Sequence, residues 1–466
     1  MAGDRAARLG LGLVFLLLIW GFVTLWGGDG VSIYIIVGAV VGGYMALNIG
    51  ANDVANNMGP AVGSRALTLL GALAIAVVFE ALGALLAGGE VVATVSKGII
   101  DAGQIADSQV FILAMLAALL ASALWINLAT YIGAPVSTTH AIVGGVMGAG
   151  VAAAGFGIVD WPTMSKIAAS WVISPLLGGV IAALLLGFIK YAILDQKDRI
   201  EAAKRWVPLL VALMAGVFSA YLIMKGLKRV WQPEPWLVAA LAGLVFAVAY
   251  GAVKPLIARR ARGRENSSST IHGLFTVPLI CSAAMLSFAH GSNDVANAVG
   301  PLSAIIGVSG SGDVLAKVEI PLWVMLIGAA GISLGLVLFG PKLIRTVGQE
   351  ITKLNPVRAF CVALAAAITV IAASALGLPV SSTHIAVGAV FGVGFFREYL
   401  VSRRSCRANA VSEGNGMARG NGNGGRRGRR KLVRRYYLVT IVAAWVVTVP
   451  ATAVMAGAIF YLLGAF

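Results

Sequence analysis

The sequence predicts an all-α polytopic membrane protein built as two inverted structural repeats, with discontinuous or re-entrant helices and about twelve membrane elements. Three observations carry this reading. Of the 466 residues, 59% are hydrophobic and only 12% are charged, against roughly 25% charged in soluble domains. The apolar stretches are long and continuous, close to the ~20 residues a spanning helix needs. The alternating segments of about ten residues that mark an outer-membrane barrel do not occur. Finally, two short polar motifs embedded in apolar surroundings each occur twice.

In chain order, Arg5 and Arg8 precede an apolar run at 9–26. It is too long for the hydrophobic region of a signal peptide and no small-x-small cleavage site follows. Residues 1–30 therefore read as a retained membrane helix. The first repeat is expected over 31–190 and the second over 271–466. The segment 191–270 connects them through two helices and basic loops. Runs at 302–309 and 384–396 are too short to span alone and read as parts of interrupted or re-entrant helices. Residues 403–435, rich in Gly, Asn and Arg, read as a flexible low-complexity loop.

The net charge of +16 would suggest nucleic acid in a soluble protein. Here Lys and Arg gather in short tracts between apolar runs, without interleaved aromatics. Cytoplasmic loops under the positive-inside rule explain them, and no nucleic-acid partner is expected. Cys281, Cys361 and Cys406 are too scattered for a disulfide framework or a metal site.

The first motif reads GANDVANNMGP at 50–60 and GSNDVANAVGP at 291–301, with Asn52 and Asn293 offset by 241 (293 − 52). A carboxylate in the bilayer costs several kcal/mol, so Asp53 and Asp294 are functional candidates by default. With its amides, small residues and closing Gly-Pro, each copy reads as a break in a membrane helix that exposes backbone carbonyls. Asn52, Asp53, Asn56, Asn293, Asp294 and Asn297 offer oxygen ligands suited to a hard cation such as sodium. A hydrogen-bonded asparagine seam between helices is the plainer alternative, but it leaves the paired acids unexplained. Glu80 is a third acid, with Ile332 as its approximate counterpart. It could hold a cation or a proton, or pair with Arg65 or Lys97 near a helix end. His290 stands where the first copy has Ile49, breaks the repeat, and is not read as a ligand.

The second motif reads PVSTTH at 135–140 and PVSSTH at 379–384 (384 − 140 = 244). Proline followed by hydroxyl residues marks a helix N-terminus, whose free N–H groups and positive dipole end favour anions. Ser137, Thr138, Thr139, Ser381, Ser382 and Thr383 add hydroxyl donors. Two such ends brought together would surround a tetrahedral oxyanion, beside the acids Asp53 and Asp294. Back-bonding of Ser and Thr to helix carbonyls is the alternative, and the duplication beside Pro and His argues against it. His140 and His384 could contact the anion, take a proton, or orient the hydroxyl turn.

Charge distribution speaks to orientation. The connection between His384 and Trp445 is strongly basic, whereas its counterpart near 155–163 carries Asp160 and no basic residue. Matching elements therefore run in opposite directions, as in an inverted repeat. A 100 mV inward-negative potential opposes a divalent anion by about 4.6 kcal/mol, twice the ~2.3 kcal/mol per charge. Uptake against that field needs co-transported cations, sodium or protons, which also relieve the repulsion between the acids and the anion. The P–OH of monohydrogen phosphate can donate to an Asp acceptor, and sulfate cannot, which favours phosphate.

Together the four motifs resemble the inorganic phosphate transporter (PiT) family, and the resemblance covers essentially both halves. It implies an inverted-repeat helical fold in the cytoplasmic (inner) membrane and cation-coupled phosphate uptake by a homodimer. It also implies phosphate at the hydroxyl turns and the Asn-Asp acids. Carried over residue by residue, it implicates Asp53, Asn56, Ser137, Thr138 and Thr139 with Asp294, Asn297, Ser381, Ser382 and Thr383, and it matches Glu80 to a family acid. Two departures stand out: Ala363 lies where some members have an acid, and the basic insertion at 403–435 is not a family feature. The resemblance also leaves open relatives that carry sulfate or a metal–phosphate complex. No enzyme is expected: an intramembrane hydrolase needs one nucleophile beside one base, and here every part is duplicated. A water-filled anion channel would need no buried acids.

Overall fold

The computed structural model describes residues 2–27, 31–105, 107–134, 136–226, 231–311, 320–350, 354–414 and 435–465. Pro135 and most of the basic insertion, residues 415–434, lie outside the described residues. The described chain is helical, with a single isolated bridge between Ile100 and Val159. The first half runs through α1 (Ala2–Trp26), α2 (Ile33–Gly63), α3 (Leu69–Ala87), the short amphipathic α4 (Gly89–Lys97), α5 (Ser108–Ile132), α6 (Thr138–Ala154) and α7 (Trp161–Ile189). A hairpin follows, α8 (Arg199–Tyr221) and α9 (Pro235–Ala261). The second half comprises α10 (Ser268–Leu274), α11 (Thr276–Ser311), α12 (Leu322–Glu350), α13 (Pro356–Ala375), α14 (Ser382–Gly414) and α15 (Arg435–Gly464). Among the described residues, eleven helices are long and apolar enough to span. The count is twelve if α10 and α11, bent by 41° at their junction, form one span.

Local sequence explains the ends. Thr68, Asp107, Asp160, Asp198 and Asn355 cap α3, α5, α7, α8 and α13, each side chain accepting a first-turn N–H. Gly133 (φ 76°) closes α5, and Gly377 (φ 67°) lies just beyond α13. Both are left-handed positions that glycine fills without strain, and both immediately precede a hydroxyl turn.

Three expectations change. The Asn-Asp motifs are not breaks: α2 passes unbroken through 50–60 and α11 through 291–301. Their side-chain amide N–H groups donate laterally to other helices, so the backbone needs no unwinding. The run at 302–309 is the end of α11, and 384–396 is the beginning of the 33-residue α14. The helix interruptions fall instead at the hydroxyl turns, between α5 and α6 and between α13 and α14. The expected loop at 403–435 is helical as far as Gly414, because its first part carries Ala, Arg and Val rather than the later run of Gly and Asn.

Packing follows a two-fold exchange. α2 packs on α12 as α11 packs on α3; α6 on α15 as α14 on α7; α5 on α15 as α13 on α7. The apolar interior divides into two clusters, one built around α5 and α6 and the other around α13 and α14. α2 leaves the first cluster at Ile49 and enters the second at Val54, whereas α11 leaves the second at Ala289 and enters the first at Val295. Corresponding helices thus traverse the interior in opposite senses, and both carry the Asn-Asp motif at the crossing. α13 is buried over 78% of its most apolar window and α9 over 6%, so the turn-bearing helices are central and the α8–α9 hairpin is peripheral.

Candidate functional site

The N-terminal ends of α6 and α14 meet the middles of α2 and α11 at the boundary between the two apolar clusters. Ser137 caps α6, its hydroxyl accepting from the His140 N–H at 3.1 Å. Ser381 does the same for His384 at 3.3 Å. The following hydroxyls face the acids. Thr138 donates to Asp53 Oδ2 at 2.8 Å, Thr383 to Asp53 Oδ1 at 3.1 Å and Ser382 to Asp294 Oδ2 at 3.2 Å. Asp53 is therefore held by hydroxyls from both halves. Thr139 donates instead to the carbonyl of Val380, linking one turn to the other at 3.0 Å.

The asparagines divide the work. Asn56 donates to Thr383 at 2.7 Å, and Asn297 donates to Thr138 and Thr139 at 3.2 Å each, so both reach the opposite half's turn. Asn52 and Asn293 hold their own half's turn in place. Asn52 donates to Thr130 and to the Ala134 carbonyl, and Asn293 donates to Ser374 and to the Leu378 carbonyl. The i, i+4 spacing puts both asparagines of each helix beside the turns. The four asparagines are buried.

On the other side of the turns, the His140 and His384 rings stand 4.5 Å apart. Trp171 stacks on His140 at 3.7 Å and donates to the carbonyl of Pro379. His140 Nδ1 lies 2.7 Å from Ser137 Oγ, where it orients the capping hydroxyl.

His290, which the repeat pattern sets apart, lies among the acids. Its Nε2 lies 2.8 Å from Asp294 Oδ2 and 3.9 Å from Asp53 Oδ2, and its Nδ1 lies 3.2 Å from Glu80 Oε1. Glu80 pairs with His290 and accepts from Asn57 at 2.9 Å, not from Arg65 or Lys97. Repeat logic missed His290 because its counterpart is Ile49. The usable signal is a histidine in a predominantly apolar run, one residue before the motif.

Several buried acceptors in this cluster have no hydrogen-bond donor: Asn52 Oδ1, Asn57 Oδ1, Glu80 Oε2, Asp294 Oδ1 and Asn297 Oδ1. A buried acceptor left unpaired costs about 1–3 kcal/mol, and oxygen atoms of this kind are what a hard cation coordinates. Asp53, His290 and Asp294 also offer ligand atoms within 4.8 Å of one another. The residues present thus suit a cation beside a cluster of hydroxyl donors.

Comparison with known proteins identifies the family. The model of the phosphate transporter family matches residues 49–456, which includes all four motifs. The chain belongs to the phosphate transporter family. A relative in Helicobacter pylori, named only provisionally as a phosphate permease, is 53% identical over 84% of this chain and 74% of that protein. A Pyrococcus furiosus protein with the same provisional name is 35% identical over 91% of this chain and 95% of its own length. A solved structure of a sodium-dependent phosphate transporter superposes with a TM-score of 0.82 at 35% identity, covering 93% of this chain and all of that one. This family member is accordingly a multi-pass helical membrane protein with the transporter fold.

Proposed function

We propose that the chain imports inorganic phosphate across the cytoplasmic (inner) membrane by symport, with sodium as the coupling cation. The observation that carries this reading is the pairing of Asp53 with Thr138 and Thr383, hydroxyl donors from the two opposite turns. The same hydroxyls are the donors a phosphate oxygen needs, so carboxylate and anion compete for them. A cation at Asp53 satisfies the carboxylate and releases Thr138 and Thr383 to the anion, and Asp294 and Ser382 stand in the same relation. Anion binding then depends on cation binding, which is the requirement for symport. The two halves, residues 31–190 and 271–466, act as inverted repeats around this site, and the resemblance to the family extends the proposal to a homodimer.

In this scheme phosphate contacts Ser137, Thr138, Thr139, Ser381, Ser382 and Thr383 with the two aspartates. Cations engage Asn52, Asp53, Asn56, Glu80, Asn293, Asp294 and Asn297. The sodium-dependent relative supports sodium. The imidazole of His290, a nitrogen group foreign to a hard ion, favours protons as the second reading. The test is uptake of labelled phosphate by purified protein in liposomes under a sodium gradient, a proton gradient, or none. Sodium-driven accumulation is expected, and proton-driven accumulation alone would establish the second reading. Flux indifferent to both gradients would mean a channel. Equal displacement of phosphate by excess sulfate would overturn the substrate assignment.

A further inference from the structure

At one buried corner the two-fold exchange fails in three residues at once. Gly50 packs against the Ile332 carbonyl and Gly291 against the Glu80 carbonyl; a Cβ on either glycine would lie 1.9 Å or 2.1 Å from those oxygens. These paired contacts make Glu80 and Ile332 geometric equivalents, as the motif offset makes His290 equivalent to Ile49 and Asn57 to Ala298 (298 − 57 = 241). One side of the two-fold, where α2, α3 and α11 meet, thus carries Asn57, Glu80 and His290, hydrogen-bonded or in close polar contact. The opposite side, where α11, α12 and α2 meet, carries Ala298, Ile332 and Ile49, all three buried in one apolar cluster. The protein itself shows that an apolar set fits this corner of the fold.

From this asymmetry we propose that Asn57, Glu80 and His290 form a one-sided coupling element, with His290 as its positioning residue. The proposal rests on the symport reading above and adds where coupling resides. His290 stands between Glu80 and Asp294, 3.2 Å and 2.8 Å from their oxygens. It is the physical link between an acid outside the hydroxyl turns and one that receives the Ser382 hydroxyl. Glu80 Oε2 and Asn57 Oδ1 are buried without donors, so the element presents two oxygens to a cation at a place where the opposite side of the two-fold presents only side-chain carbon. A cation taken up there shifts the His290–Asp294 contact and, through it, the availability of Ser382. Coupling is then delivered from the α3–α11 side alone, while the anion is gripped from both.

The test replaces the polar set by its own counterpart, Asn57→Ala with Glu80→Ile and His290→Ile, beside the single variant His290→Ile. Two readouts are taken in liposomes containing the purified protein: steady-state accumulation of labelled phosphate under the driving gradient, and gradient-free phosphate–phosphate exchange. The single variant leaves Glu80 with Asn57 but without the imidazole that links it to Asp294, and we expect it to lose both. The triple variant is expected to elute as a single folded species and to exchange phosphate at a reduced rate, with its accumulation ratio falling to about one. Wild-type accumulation by the triple variant would make the set mere packing and overturn the proposal. Loss of exchange as well in a folded triple variant would place the residues in the anion grip and also overturn it. A wild-type protein that exchanges no phosphate would remove the symport reading and this proposal together. The proposal fails alone only where the wild type both exchanges and accumulates.

Discussion

Asp53 and Asp294 occupy equivalent positions but differ in their partners. Asp53 receives two hydroxyls and Asp294 one, with Asp294 Oδ1 left unpaired. An Asp53→Asn change keeps one acceptor oxygen and turns the other into an amide nitrogen, so either Thr138 or Thr383 loses its acceptor. Gradient-driven uptake should fall below about a hundredth of wild type, roughly the 3 kcal/mol ceiling for a hydrogen bond to a charged group. Stability should fall by about 1–3 kcal/mol, seen as earlier melting of the solubilised protein. Asp294→Asn should abolish coupled uptake similarly and cost less stability. Wild-type uptake by either variant would show that acid to be structural. The acids and hydroxyls were legible because each occurs twice in an otherwise apolar chain. His290 was not, since the reasoning that trusts repetition discards whatever is unrepeated.

The helix crossings explain why polar, glycine-containing motifs lie on unbroken helices. A Cβ added at Gly83 or Gly335 would sit 2.0 Å from the carbonyl of Phe288 or Leu47, and Gly50 and Gly291 are as tightly placed. These glycines let backbones touch, as small residues do in membrane helix packing. Sequence alone does not distinguish a glycine that bends a helix from one that admits a neighbour, which is why these motifs read as unwound. Gly50→Ala and Gly291→Ala should each prevent assembly, giving aggregated material in size-exclusion chromatography. At Gly243, in the peripheral α9, a Cβ would meet no neighbouring atom within 4 Å. Gly243→Ala should leave the elution profile unchanged and raise stability by up to about 1 kcal/mol through helix propensity. A well-folded Gly50→Ala protein would refute the crossing argument.

At the scale of the whole molecule, the class and the approximate number of spans were legible in composition and run length. The partners across the two-fold were not, because pairing α2 with α12 and α3 with α11 joins residues hundreds of positions apart. The opposed orientation of the halves makes a direct prediction. Cysteine reporters at Gly157 and at Gly420, placed singly in a background lacking Cys281, Cys361 and Cys406, should be labelled by a membrane-impermeant maleimide from opposite faces of oriented vesicles. Labelling from the same face would contradict inversion. The bond between Thr383 and Asp53 has a further consequence in time, since 330 residues separate them. At ~5–20 residues per second, ribosomes make Thr383 some tens of seconds after Asp53. Until then the nascent first half has Thr138 alone to hold that carboxylate. The proposed anion grip is complete only once Thr383 has been made, so a copy stalled before that point lacks one of the two hydroxyls that hold Asp53.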